Sequence, residues 1–115
     1  MAVSIEKSVY DPKSSTDGLR VLVMTYWPRA IKKSKVDLWL RDLGTSKDLI
    51  KIWKSGKINW SEFKKQYLAE LKDENKQSMI HDLTKRAKLG KVTLLCSCHD
   101  PAKCHRAILK EQIER

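Results

Sequence analysis

The chain has 115 residues, of which 41% are hydrophobic and 33% charged, and its net charge is +10. This length and balance predict a single folded domain and exclude a disordered chain. A membrane-spanning protein is also excluded, because no apolar run approaches the roughly 20 residues that cross a bilayer. The N-terminus has no signal-peptide pattern and the cysteines number three, so we expect a reducing, cytoplasmic setting.

The excess of lysine and arginine leaves two interpretations open. Lysines are spread among acidic neighbours from Lys32 to Lys110, which is typical of solvated helix surfaces. The same charge attracts polyanions, so a basic nucleic-acid-binding protein is an alternative function.

Apolar runs predict the strands. The N-terminal stretch "AVSIEKSVY" (2–10) alternates imperfectly and predicts a short strand. Gly18 precedes "LRVLVMTY" (19–26), and "KVTLLC" (91–96) follows much later; both runs are typical of buried strands.

Helix-start signals divide the segment between the two buried strands. Ser34 with Asp37 resembles a capping box before a helix over 36–43, and Ser46 or Thr45 can cap a second helix. Further helices are predicted over 60–74, after an Asn59 and Glu62 pair, over 77–89, and after Asp100 with Pro101 in the first turn.

The order of these elements predicts the fold class. A helical connection between two strands of one sheet usually leaves them parallel. We therefore expect a single α/β domain over residues 1–115, with a small, mostly parallel sheet of about three strands packed by about five helices.

The stretch "CSCHDPAKCHR" (96–106) contains all three cysteines and two of the three histidines. It offers four zinc ligands, namely Cys96, Cys98, Cys104 and either His99 or His105. The C-x-C spacing is tighter than in common zinc knuckles, so we predict no cofactor and keep a structural zinc module as an alternative.

A reactive thiol is another interpretation of this stretch. Cys104 falls near the start of the predicted last helix, where unpaired N–H groups together with His105 and Arg106 would favour a thiolate. In a catalytic protein, Cys104 would be the nucleophile and His105 the proton carrier. A phosphatase loop is absent, since Asp100 occupies the position six residues before Arg106.

A second group of residues follows the first buried strand. Ligands of parallel α/β sheets bind outside the carboxyl ends of the strands, so this group and the cysteine-rich stretch should line one cleft. Two arginines and two histidines there favour an anionic small molecule, such as a nucleotide, beside an aromatic wall. The predicted ligand-binding residues are Tyr26, Trp27, Arg29, Cys98, His99 and Arg106.

The segments "DGLRVLVMTYWPRAIKKSKVDLWLRDLGTS", "FKKQYLAEL" and "KVTLLCSCHDPAKCHR" together resemble the DUF488 family, and its YeaO-like branch in particular. The most specific pieces are Trp-Pro-Arg at 27–29, the run 39–43 and Cys-His-Arg at 104–106. The resemblance implies a compact α/β domain and no established activity. Many relatives have an Asp-Arg pair where Met24 and Thr25 stand, and a glycine where Ala30 stands.

Overall fold

The computed structural model describes residues 3–97, Asp100 and residues 103–114. The strands are β1 (Val3–Ser4), β2 (Leu19–Leu22), β3 (Leu38–Trp39) and β4 (Val92–Leu95), and the helices are α1 (Lys47–Lys54), α2 (Trp60–Glu70), α3 (Glu74–Leu89) and α4 (His105–Ile113). The predicted α/β class is confirmed, with four strands and four α-helices in the described residues where about three and five were expected. None of the helices in these ranges is long and apolar enough to cross a membrane.

The sheet is parallel throughout, in the order β1-β4-β2-β3. β2 lies beside β4, with Leu19 opposite Val92 and Leu22 opposite Leu95. Both central strands are buried along almost their whole length, Arg20 and Thr93 included, because they are covered on both faces, as is usual for parallel strands. The predicted parallel arrangement of these two strands is confirmed, and it brings their carboxyl ends to one edge.

Two hydrophobic clusters cover the two faces of the sheet. Val21 and Leu94 belong to the larger cluster, which is formed with the α-helices, whereas the adjacent Leu22 and Leu95 belong to a smaller one. Neighbouring residues of a strand point to opposite faces, so the clusters lie on opposite sides. The main core therefore packs between the sheet and the helices.

The predicted helix over 36–43 is wrong. This segment forms β3 between two short 3-10 turns, Lys33–Lys35 and Arg41–Leu43. The backbone N–H of Asp37 donates to the carbonyl of Arg20 at 2.9 Å, and that of Leu40 donates to Leu22 at 2.9 Å. These backbone groups bond to the edge of β2, so they are not available for hydrogen bonds within a helix.

Of the remaining helix-start signals, two are confirmed and one is wrong. Ser46 Oγ accepts from the Leu49 N–H at 3.2 Å, and Asn59 Oδ1 accepts from the Glu62 N–H at 2.8 Å. The last helix, however, begins at His105 rather than after Asp100, so the predicted Asp100 cap is incorrect. Cys104 is consequently the N-cap residue of α4, with extended backbone angles.

Candidate active site

A pocket of about 220 Å³ opens beside the carboxyl ends of β2 and β4. Its lining includes Met24, Thr25 and Tyr26, which follow β2, and Cys96, Cys104 and His105, which lie at the end of β4 and the start of α4. The parallel pairing of the two strands is the reason these distant segments meet, since each chain leaves the sheet at the same edge.

The opposite wall of the pocket comes from the first two helices. Trp53 and Phe63 contact each other there with ring centroids 4.9 Å apart, and Ile50 lies beside them. Two lysines, Lys54 and Lys103, add positive charge, and no described lining residue is acidic. The pocket therefore combines an apolar, aromatic wall with a basic rim.

The sulfur of Cys104 has two nitrogen neighbours. His105 Nδ1 lies 3.5 Å from Sγ, and Arg106 Nε donates to Sγ at 3.4 Å. Cys104 and His105 both line the pocket, although each is buried. The imidazole and the guanidinium beside the sulfur favour the negatively charged form of this thiol, whereas burial by itself opposes it.

The tautomer of His105 follows from its other hydrogen bond. Nε2 lies 2.6 Å from the Val23 carbonyl oxygen, which can only accept, so Nε2 carries the proton. In a neutral imidazole the lone pair then belongs to Nδ1, the nitrogen that faces Cys104. Tyr67 packs edge-on against the ring, with centroids 5.6 Å apart, and helps to hold this orientation.

Arg106 is held in place by a second hydrogen bond. Its guanidinium is buried, and Nη1 donates to the carbonyl oxygen of Lys7. Arg106 does not line the pocket, so within the described residues it touches the site through the Cys104 sulfur.

The remaining predicted ligand-binding residues are placed differently from one another. Tyr26 is about half exposed and lines the pocket, with the Lys47 ammonium 5.6 Å from its ring centroid. Trp27 packs against Trp39 in the smaller hydrophobic cluster and donates to the Ile31 carbonyl at 2.9 Å. Arg29 is exposed and does not line the pocket. Cys98 and His99 lie outside the described residues.

Sequence reasoning missed the contribution of α1 and α2, including Tyr67. The Tyr67 hydroxyl donates to the Leu43 carbonyl. Burial, and then the negative charges of Cys104, Glu70 and Cys96, raise the pKa of Tyr67 well above its usual value. The only sequence signal was the amphipathic spacing of Phe63 and Tyr67, which is the same for core and pocket residues.

Three of the predicted metal-ligating residues are close together. The ligand atoms of Cys96, Cys104 and His105 all lie within 4.8 Å of one another, and all three side chains are buried. Cys98, the fourth residue of that set, lies outside the described residues.

Comparison with known proteins identifies the family. The family model described as "Active DUF488-N3 subclade" matches residues 5–115. The chain belongs to the DUF488 family. This assignment agrees with the resemblance in sequence, and the Cys-His-Arg run at 104–106 that contributed to it forms the centre of the site described above.

Curated relatives of this DUF488 protein match it over most of their length. Uncharacterized protein YeaO of Escherichia coli (strain K12) is 35% identical over 108 residues, covering 91% of both chains. Uncharacterized protein Rv3073c of Mycobacterium tuberculosis (strain H37Rv) is 31% identical over 105 residues, covering 90% of this chain and 86% of its own. No solved structure is significantly similar to the chain.

Proposed function

We propose that this protein binds a small anionic molecule in the pocket beside β2 and β4 and reacts with it through the Cys104 thiol. The observation that carries the proposal is the placement of the Cys104 sulfur in the pocket wall, 3.5 Å from His105 Nδ1 and 3.4 Å from Arg106 Nε. Nucleophilic cysteines depend on such a base within reach and on positive charge beside the sulfur.

The geometry supports a definite course for the reaction. The Cys104 proton moves to His105 Nδ1, and Arg106 stabilises the resulting thiolate. A sulfur lone pair then forms a bond to an electrophilic carbon of the substrate, while the electron pair of the breaking bond goes to the leaving group. His105 returns its proton to that leaving group. The hydrogen bond to Val23 keeps the imidazole oriented throughout.

The pocket walls support a particular class of ligand. A volume of about 220 Å³ is below the roughly 300–1,000 Å³ typical of drug-sized ligands. Aromatic side chains at Tyr26, Trp53 and Phe63 suit a flat or apolar body, and Lys54 and Lys103 suit one anionic substituent. We therefore expect a small ring-bearing carboxylate or phosphate.

The family description adds support for a reaction at this site. The matching subclade is described as active, and in this chain the Cys104 sulfur lies 3.5 Å from His105 Nδ1, as a nucleophile lies near its base. The relatives' names give no reaction, so the pocket itself must supply the substrate class.

Thiol reactivity tests the chemical part of the proposal. Each cysteine would be alkylated with iodoacetamide at one fixed pH, and its rate followed by peptide mass spectrometry. We expect His105→Gln, which can still donate to Val23 but lacks the base, to slow Cys104 at least about tenfold. His81→Gln, at an exposed histidine on α3, is the matched control and should leave the rate unchanged. Equal rates in the wild type and in His105→Gln would refute the role of His105.

Ligand protection tests the binding part. Benzoate, inorganic phosphate and a nucleoside monophosphate would be compared for their ability to slow Cys104 alkylation. We expect the ring-bearing anions to protect best, and the Lys54→Ala/Lys103→Ala double variant to lose that protection several-fold. Lys85→Ala, at an exposed position on α3, is the control. Protection by a polynucleotide alone, falling steeply with salt and unaffected by the double variant, would instead support the nucleic-acid alternative.

A further inference from the structure

We infer that Cys96, Cys104 and His105 also form a binding site for a thiophilic cation, and that Zn²⁺ is the ion this ligand set fits best. The three side chains are buried, and their ligand atoms lie within 4.8 Å of one another. Two thiolates and an imidazole are ligands that zinc takes readily, while magnesium and calcium require oxygen.

One of the distances already matches a shared metal ion, and the other two are short enough for a small movement of Cys96 to complete the site. Zinc lies about 2.3 Å from a cysteine sulfur and about 2.0–2.1 Å from a histidine nitrogen, with tetrahedral angles. These values place a sulfur and a nitrogen ligand roughly 3.5 Å apart and two sulfurs roughly 3.8 Å apart. Cys104 Sγ and His105 Nδ1 are 3.5 Å apart, and the Cys96 sulfur lies within 4.8 Å of both ligand atoms.

The groups around the three ligands are those that support a metal site. A metal-binding histidine usually donates its other N–H to a carbonyl or carboxylate, which fixes the tautomer. His105 Nε2 donates to the Val23 carbonyl at 2.6 Å and so directs the Nδ1 lone pair toward the Cys104 sulfur. Arg106 Nε donates to the Cys104 sulfur, which suits a thiolate ligand.

Charge balance favours the metal-bound state. Two buried thiolates close to each other would be costly in free energy, because each charge is removed from water and the two negative charges repel each other. A divalent ion between them neutralises both. All three residues line the pocket, so the fourth coordination position faces the cavity and can take water or an anionic ligand, as in zinc sites that keep one position open.

The metal and the proposed thiol chemistry use overlapping but different residues. Cys104 and His105 are required for both, whereas Cys96 is required for the metal alone. Zinc and an alkylating reagent therefore compete for Cys104, and Cys96→Ser separates the two functions.

Metal titration tests the inference. Protein treated with a chelator and dialysed would be titrated with Zn²⁺ against a chromophoric competitor, and separately with Co²⁺ to record its thiolate charge-transfer and d–d absorption. We expect one ion per chain, an intense tetrahedral Co²⁺ spectrum, and at least a tenfold weaker affinity in Cys96→Ser. His81→Gln is the control and should bind as the wild type does. Affinity unchanged in Cys96→Ser, or a Co²⁺ spectrum without thiolate bands, would overturn the inference.

A measurement on the wild-type chain guards against a variant that fails to fold. Saturating Zn²⁺ should slow the alkylation of both Cys96 and Cys104, as mapped by mass spectrometry, and a chelator should restore their rates. Rapid alkylation of Cys104 that zinc does not alter supports the thiol proposal and removes the metal site. Stoichiometric zinc binding with slow Cys104 alkylation in the metal-free protein supports the metal site and removes the nucleophile.

Discussion

Two buried arginines, Arg20 on β2 and Arg106 on α4, occupy contrasting surroundings. Arg20 Nη1 lies 2.5 Å from Asp17 Oδ2, and Nε donates to the Lys35 carbonyl at 2.7 Å. Arg106 donates to the Lys7 carbonyl and to the Cys104 sulfur. A carboxylate beside Arg20 is negative at neutral pH, so that pair is a structural element. A thiol beside Arg106 becomes negative only when it loses its proton, so that contact can serve reactivity.

Lys7 joins the two arginine sites. Its ammonium lies 2.9 Å from Asp17, which also binds Arg20, while its carbonyl accepts from Arg106. The segment around Lys7 is thereby held against both the Asp17 pair and α4. We therefore expect both sites to help position the segment around Lys7. Changing Arg20 should alter mainly the stability of the fold, and changing Arg106 should alter mainly the reactivity of Cys104.

The largest effect is expected from Arg20→Met, which keeps the bulk of the side chain and removes its charge. Asp17 would then be a buried carboxylate with only Lys7 as its cationic partner, and breaking a buried pair in this way costs about 3–5 kcal/mol. Urea unfolding measures the change in the free energy of unfolding.

The control for that change is Arg86→Met. Arg86 pairs with Asp82 at 2.8 Å, but both side chains are about half exposed, so its loss should cost less than about 0.5 kcal/mol. Similar losses of unfolding free energy in the two variants would show that the buried Asp17–Arg20 pair contributes no more to stability than an exposed pair.

The second prediction concerns acid stability. Burial alone would raise the pKa of Asp17, but the Lys7 ammonium, the Ser14 N–H and the Arg20 guanidinium outweigh it and lower the pKa to about 2. Because the folded value lies below the usual 3.8, the carboxylate stabilises the fold above about pH 4, and this contribution is lost as the pH falls toward 2.

The contribution of the ionised Asp17 carboxylate to the free energy of unfolding is about 2 kcal/mol. Asp17→Asn should therefore lower stability at neutral pH and flatten the decline between pH 4 and pH 2, as measured by urea unfolding at a series of pH values. Asp82→Asn, in the exposed pair, should leave the slope unchanged, and a slope that persists in Asp17→Asn would assign the acid sensitivity to other groups.

The third prediction tests the other arginine. Arg106→Met should slow Cys104 alkylation by about tenfold, because the guanidinium no longer stabilises the developing thiolate. Arg20→Met, assayed where it remains folded, should leave that rate close to the wild-type value. If both variants slow the reaction equally, the loss comes from general destabilisation, and the contrast between the two arginines does not hold.

The strands of the sheet were only partly predictable from the sequence. The runs 19–26 and 91–96 indicated the central strands because a continuous apolar, β-branched pattern is a local property. The segment 36–43 was assigned to a helix because its apolar residues suit either structure. The deciding factor was hydrogen bonding to Arg20 and Leu22, which lie far back along the chain.

The site was predictable to the extent that its chemistry is clustered in sequence. Cys104 and His105 were predicted to lie in the cleft and both line the pocket, whereas Arg106, which was also expected to face it, does not. Its hydrogen bond to Lys7, at the other end of the chain, turns it away from the pocket. Lys54 and Phe63 belong to amphipathic helices, on which a pocket wall and a core face look alike.

The smallest effect is expected at Ala30, in the loop that continues from the pocket edge past Trp27. Ala30 has a φ of +64°, a left-handed conformation that is strained for any residue with a Cβ. Glycine adopts this conformation without a Cβ clash but loses more backbone entropy on folding. Relief of the strain, about 1–2 kcal/mol, exceeds this entropy cost of about 0.5–1 kcal/mol, so Ala30→Gly should stabilise the fold by about 0.5–1 kcal/mol in urea unfolding and leave Cys104 alkylation unchanged. Ala69→Gly, at an exposed position within α2, provides the opposite control and should destabilise by about 1 kcal/mol. Destabilisation by both changes would mean that the loop at Ala30 is not strained.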